Sequence, residues 1–141
     1  MVERVLVPVD DSDLAERALV FAIETYRDAV IEAMHVVPVS ATFVEQLVGL
    51  SREEEFDRAV EQQAEPILER AQKLGADRGT EVETSMEMGN PSREILERAT
   101  DTDADLIVIG GHGRTAPSRI LLGSVTETVV RRSPVPVTIV R

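Results

Sequence analysis

The stretch ADLIVIGGHGRTAPSRILLGSVTET, residues 104–128, decides how this chain must fold. Leu106-Ile107-Val108-Ile109 is an unbroken aliphatic run, the pattern of a parallel strand buried on both faces. Gly110, Gly111 and Gly113 follow at once. Residues without a Cβ turn sharply and leave their amide N–H groups uncovered. Gly123-Ser124 then opens a helical pattern. Bare amides beside a helix N-terminus suit phosphate, because that end of the helix carries partial positive charge. The first expectation is a parallel sheet with a nucleotide at its carboxyl edge.

Working outward, Val5-Leu6-Val7-Pro8-Val9 reads as a first strand closing at Asp10. Pro8 has no N–H for the ladder, so it is tolerable only where pairing is ending. Asp11-Ser12-Asp13 caps a helix with Ala15, Ala18, Leu19, Ala22, Ile23 and Tyr26 at helical spacing. Residues 30–37 form a second strand. Ser51-Arg52-Glu53-Glu54 is a capping box ahead of the stripe Phe56, Val60, Ile67, Ala71 and Leu74. Pro66 is expected to kink or split that helix and Gly75 to stop it. Residues 80–88 set Val82, Thr84, Met86 and Met88 against Glu81, Glu83, Ser85 and Glu87, a half-buried strand at a sheet edge. Asn90-Pro91 supplies the cap and first position of the next helix, which carries Ile95, Leu96 and Ala99. The quoted strand and loop come next, then a helix from near Ser124 and a last strand over residues 135–140. Between Pro38 and Leu50, Phe43, Val44, Leu47 and Val48 are spaced like one face of a short helix. They read either as a covering turn packed on the sheet or as a lid or partner contact.

This alternation calls for an α/β sandwich around a mainly parallel sheet. In such sheets ligands bind outside the carboxyl ends of the strands, where the strand order reverses. Asp10 and Gly110 both stand at strand carboxyl ends, and they face one crevice if the first and fourth strands are neighbours.

At 141 residues the expectation is one domain, residues 1–141, with a core of its own. The absence of Cys removes disulfides, thiolate metal sites and cysteine nucleophiles. No targeting pattern and no apolar run of the ~18 residues that span a bilayer is present, so the expected compartment is the cytoplasm. A net charge of -11 and 3% aromatic content exclude a nucleic-acid surface. Lys73 is the only lysine. An acidic, lysine-poor surface repels itself in dilute buffer but not at ~1 M salt, where the Debye length is ~3 Å. Two sources fit that composition: a salt-loving organism, or a merely acidic protein.

The glycine loop excludes two familiar nucleotide motifs. A phosphate loop of the G-x-x-x-x-G-K-[ST] type needs a lysine on the outer phosphates, and Gly123 is followed directly by Ser124. Gly111-His112-Gly113-Arg114-Thr115-Ala116 matches G-x-G-x-x-G/A, but Pro117 interrupts the helix that should follow. The acidic residue due ~20 positions on is replaced by Arg131-Arg132.

What remains, Gly110-x-x-Gly113-x9-Gly123-Ser124, resembles the G-2x-G-9x-G-[ST] signature of the universal stress protein family, in its ATP-binding branch. The resemblance covers the whole chain: Val5 to Asp10 with Ser12, His35-Val36-Val37, Gly89-Asn90-Pro91, the run from Ala104 to Gly110, and Ser133-Pro134-Val135-Pro136-Val137. It implies a three-layer sandwich with a five-stranded parallel sheet in the order 3-2-1-4-5 and helices on both faces, Rossmann-like and similar to the adenine nucleotide alpha hydrolase fold. It further implies that Asp10 contacts the ribose side of ATP, with Pro8 and Val9 walling the pocket. Val36 and Val37 lie against adenine. Gly110, His112 and Gly113 wrap the phosphates, and Gly123, Ser124 and Val125 bring a helix N-terminus to them. Mg²⁺ would arrive with the nucleotide, using its oxygens and Asp10.

Each residue also has a plainer reading. Ser124-Val125-Thr126-Glu127 is itself a capping box, so Ser124 is a cap, a phosphate ligand or both. His112, Arg114 and Arg119 either meet phosphate or are solvated, and His35 is read as structural. Two departures from the family pattern stand out. Asp11 replaces a frequent Gly, and Gly111 a frequent hydroxyl residue; both subtract from phosphate affinity.

No nucleophile elbow, zinc spacing or carboxylate pair is legible, and no catalytic residue is assigned. The expected function is an ATP-binding stress-response sensor or regulatory module. The alternatives are a slow ATPase or phosphotransferase, and a nucleotide-free interaction protein of the same fold. Val135-Pro136-Val137-Thr138-Ile139-Val140 reads as an edge strand whose unpaired backbone is satisfied by the same strand of a second copy. The resemblance implies the same homodimer.

Overall fold

Five parallel strands hydrogen-bonded in the order β3-β2-β1-β4-β5 form the middle layer. A computed structural model gives this fold for residues 1–39, 53–112 and 122–141. The strands are β1 (Arg4–Pro8), β2 (Val30–Pro38), β3 (Glu83–Gly89), β4 (Leu106–Gly110) and β5 (Val137–Val140). Between them run α1 (Asp13–Thr25), α2 (Glu53–Ala76), α3 (Pro91–Asp101) and α4 (Ser124–Arg132). The strand order and the layered α/β architecture are those expected. The apolar positions Phe43, Val44, Leu47 and Val48 and the Ser51-Arg52 half of the capping box lie outside the described residues.

Successive strand residues point to opposite faces of the sheet, and the core divides accordingly. Val5, Val7, Ile31, Ala33 and Val108 pack against Ala15, Ala18, Leu19, Ala22 and Ile23 of α1 and Ala71 and Leu74 of α2. Leu6, Met34, Val36, Ile107 and Ile109 face the other way, onto Ile95 and Ala99 of α3 and Val129 of α4. The five buried positions of α1 are the ones its spacing predicts.

Local chemistry sets most boundaries. Pro8 is the last residue of central β1; its nitrogen faces β4, where the register has already ended at Leu6 opposite Ile107, so its missing N–H falls where pairing ends. Ser12 caps α1, its Oγ accepting from the Ala15 amide at 3.2 Å. Asn90 caps α3, its Oδ1 accepting from Arg93 N–H at 3.1 Å, with Pro91 first in the helix.

Five details differ from expectation. The split that Pro66 offered does not occur: α2 runs through it unbroken. The carbonyl it deprives of a donor belongs to Gln62, and both residues are exposed to water. Phe56 also lies on the exposed side, so the buried stripe of α2 starts at Val60. Gly75 does not stop that helix; it is a close-approach position, where a Cβ would run into Val82 Cγ2 and lie 2.8 Å from the Thr80 carbonyl oxygen. Thr80 N–H bonds back to Gly75 at 2.9 Å, which delays β3 to Glu83. At the other end of the chain Ser133 Oγ accepts from Val135 N–H at 3.1 Å, and regular β5 starts only at Val137.

Candidate functional site

The sheet order reverses between β1 and β4, the two strands that the expected crevice required to be neighbours. Where their carboxyl ends part lies a cavity of about 530 Å³, within the ~300–1,000 Å³ range of small-molecule sites. Pro8, Val9, Asp10, Val36, Gly110, His112, Gly123, Ser124 and Val125 all line it. Val37 is not among the lining residues; it is buried with Val60 and Ala64 under α2. Gly113, Arg114 and Arg119 lie outside the described residues. His35, read as structural, does line the cavity.

At one end the cavity is floored by the start of α4. The cap of this helix is Gly123, in an extended conformation, which has no side chain to accept from the first turn. This corrects the capping-box reading of Ser124, which is instead the first helical residue. Gly123 spends its own N–H on the Gly111 carbonyl at 2.8 Å, and Gly111 N–H goes to Val140 at 2.7 Å. The first intrahelical bond is Glu127 N–H to Gly123, at 2.9 Å. The amides of Ser124, Val125 and Thr126 therefore find no acceptor among the described residues. An unsatisfied first turn with the positive end of a helix dipole is an anion site. Thr126 fixes its height: the buried Oγ1 donates to the Gly110 carbonyl at 2.7 Å, tying the helix to the end of β4. Gly110 permits the opposite approach, since a Cβ there would meet the Leu14 backbone at 3.2 Å.

At the other end the wall is the open edge of β2. Val9 N–H donates to the Met34 carbonyl at 2.8 Å, which places even-numbered residues of β2 with their backbone groups toward β1. Val36 is the next such residue, but β1 ends at Pro8. The regular rung from Val36 N–H to the Val9 carbonyl is not made; that carbonyl accepts instead from His35 Nδ1 at 2.7 Å. Val36 thus presents a backbone donor and acceptor side by side beyond the end of β1. Pro38, Pro91 and Ile95 supply apolar wall nearby.

Between the two ends lies the β1–α1 turn. Asp10 Oδ1 accepts from Ser12 N–H at 2.9 Å, so this carboxylate is held by the residue that caps α1. Asp11 joins it in the lining. Among the described residues no group of three or more His, Cys, Asp or Glu side chains forms a metal site. Two contributions escaped the sequence reading. Thr126 resembled an ordinary helix residue, although its place in the first turn after Gly123 was the available signal. Pro91 and Ile95 were read only as helix start and core, yet α3 begins at the same carboxyl edge as the site.

The strongest buried electrostatics lie elsewhere. Glu32 on β2 is 1% exposed and receives Arg4 Nη2 at 2.5 Å, Ser85 Oγ at 2.7 Å and Arg98 Nε at 2.7 Å. Burial opposes its charge, but hydrogen bonds from Arg98, Ser85 and Arg4 outweigh it and hold the carboxyl below its ordinary range. Asp105, exposed at the foot of β4, is lowered by the Glu3 and Arg4 amides, which it accepts at 2.9 and 3.0 Å. Both groups are structural.

The chain is similar to known proteins over its whole length. The sequence model of the universal stress protein family matches residues 1–141. Universal stress protein MJ0531 of Methanocaldococcus jannaschii is 35% identical over 99% of this chain and 82% of its own length. The solved structure of MJ0577, from the same organism, superposes with a TM-score of 0.80 at 33% identity, over 99% of this chain and 96% of that one. A universal stress protein of Archaeoglobus fulgidus in complex with dAMP gives 0.70 at 27% identity, covering 100% and 98%. Another universal stress protein, in complex with cAMP, gives 0.73 at 25% identity, covering 99% and 97%.

Proposed function

The chain belongs to the universal stress protein family, and from that premise we propose that its crevice binds an adenine nucleotide, with ATP the working form, and that occupancy sets the protein's regulatory state. One observation carries the reading: the capless first turn of α4 and the open Val36 edge of β2 border the same cavity. The α4 amides suit phosphate. The Val36 N–H and C=O pair suits N1 and the 6-amino group of adenine, which need one donor and one acceptor. Two relatives of this fold are complexes with cAMP and dAMP, which supports the base and ribose end most directly. In this reading Asp10 faces the ribose, and Gly110, His112, Gly123, Ser124 and Val125 surround the phosphates. Mg²⁺ arrives on the nucleotide, with Asp10 as its protein carboxylate.

The same reading makes the protein a homodimer. β5 is a sheet edge, and its residues are only half-buried within one chain. Pairing with β5 of a second copy covers them. No helix among the described residues is long and apolar enough to cross a membrane.

The test is to denature the purified protein, identify what it releases, and titrate the emptied protein with ATP. ATP near one per chain, or tight rebinding, supports the sensor; ADP accumulating during incubation assigns a hydrolase instead. A protein that is empty and indifferent to added ATP refutes the nucleotide reading. Gly123→Val places a branched side chain over the α4 amides, and unchanged ATP affinity in that variant contradicts their role.

A further inference from the structure

We infer that His35 is a positioning residue of the nucleotide site, acting by taking the Val9 carbonyl away from Val36; this rests on the adenine reading above. A carbonyl oxygen only accepts, so the 2.7 Å contact with Val9 requires His35 Nδ1 to carry its proton. The ring is buried at the cavity wall, 9% exposed. Through it Val9 is fastened to β2 at both of its backbone groups, although β1 has already ended: N–H to Met34 at 2.8 Å, C=O to His35.

Two consequences follow from that one bond. The first is on β2. In an uninterrupted parallel ladder the Val9 carbonyl would accept from Val36 N–H, the next rung after Val9 to Met34. His35 competes for that carbonyl and holds it toward its own ring, and the Val36 amide is left for a ligand. The second is on the β1–α1 turn. Val9 leads directly into Asp10, whose Oδ1 holds Ser12 N–H at 2.9 Å, so fixing Val9 fixes the carboxylate that stands in the lining. A leucine or phenylalanine at position 35 would fill the same buried space, but Val36 N–H would then close onto Val9. The base-reading edge would be consumed by the protein itself.

The base selectivity follows from the polarity of that edge. Adenine offers an acceptor at N1 beside a donor at the 6-amino group. Guanine offers N1–H beside O6, the reverse order, so Val36 pairs with one and opposes the other. His35 is thereby required for discrimination as well as for affinity.

The experiment compares ATP and GTP binding by the full-length wild type, His35→Phe, His35→Asn and His35→Gln. Asn carries an N–H donor near the position of Nδ1, whereas the Gln amide lies one methylene farther out. His35→Phe and His35→Gln should each lose about tenfold in ATP affinity, the scale of one hydrogen bond, with the ATP-to-GTP ratio collapsing toward one. His35→Asn should restore both. If every variant keeps the wild-type ATP-to-GTP ratio, His35 is a fold residue only and the inference is overturned, whatever happens to the melting temperature. If His35→Phe fails to fold, the Asn and Gln pair decides: equal affinity and ratio in the two overturns it as well. A wild type that binds ATP and GTP equally overturns the inference and leaves nucleotide binding standing. A wild type that binds neither overturns both.

Discussion

Replacing Glu32 by glutamine removes the charge from the centre of a buried cluster while keeping the side chain's length. The wild-type carboxylate is reached by two guanidinium groups and a hydroxyl at 2.5 to 2.7 Å, with a further Arg98 Nη2 contact at 3.3 Å. Removing one partner of a fully buried pair costs ~3–5 kcal/mol, because the remaining charge is stranded. Here the arginines are not sealed in. The Arg4 and Arg98 side chains are 24% and 34% exposed, and Arg4 keeps Glu83 at 2.8 Å. Water and Glu83 recover part of the loss, so Glu32→Gln should cost ~2–3 kcal/mol, or roughly 6–10 °C in Tm for a domain of this size. The pH dependence has a definite sign. The folded carboxyl titrates below its unfolded value, so its contribution is complete above that value and is lost as pH falls through the folded one. In urea titrations the gap between wild type and variant should be constant from pH 7 down to ~5 and narrow below the unfolded carboxyl's ~4.3. A gap under ~0.5 kcal/mol at pH 7 would equate the cluster with ordinary surface pairs and refute the reasoning.

Gly75→Ala sets helix propensity against packing. Alanine is favoured by ~1 kcal/mol in a helix interior, but its Cβ collides with Val82 and crowds the Thr80 carbonyl, so a net loss of ~1–2 kcal/mol is expected in urea. A stabilised variant would show that the Gly75–Val82 contact relaxes freely. With a net charge of -11, the thermal midpoint should rise between ~0.1 and ~2 M KCl as the acidic surface is screened; a flat profile would reject salt adaptation. Ile139→Pro tests the dimer. Pro136 and Val140 turn their backbone groups to β4, so the Ile139 N–H points off the sheet edge. Proline there spares the internal ladder and removes a donor to a second copy. Monomers are expected by sedimentation, and a retained dimer would exclude pairing through β5.

The fold was legible where a residue's local chemistry and its tertiary role coincide. Ser12, Asn90 and Pro91 start helices for reasons contained within four residues of themselves, and the α1 stripe from Ala15 to Ile23 needs only a period of 3.6. Reading failed where a distant partner decides. Gly75 looks like a helix stop until Val82 is seen lying against it. Pro66 looks like a break until the exposed side of α2 shows that its lost hydrogen bond falls in water. Glu32 sits among apolar residues of β2 with nothing nearby to explain it; Arg4, Ser85 and Arg98 come from three other elements.

The candidate site divides in the same way, and the division bears on how it works. The end proposed for phosphate was visible because glycine spacing is a property of the chain itself: Gly110 and Gly123 mark a close approach and a capless helix wherever the rest of the fold lies. The end proposed for the base was visible only as two valines, and the side chains of Val36 and Val37 are not what distinguishes it. What matters is that β1 stops at Pro8 while β2 runs on to Pro38, leaving the Val36 backbone one rung beyond its partner. No side-chain pattern encodes a missing rung. It goes with the chain turning away after Val9 and with the Val9 carbonyl accepting from His35 Nδ1 rather than from the next amide of β2. The residue read as merely structural is therefore the one whose substitution should report most sharply on whether the edge of β2 reads a base.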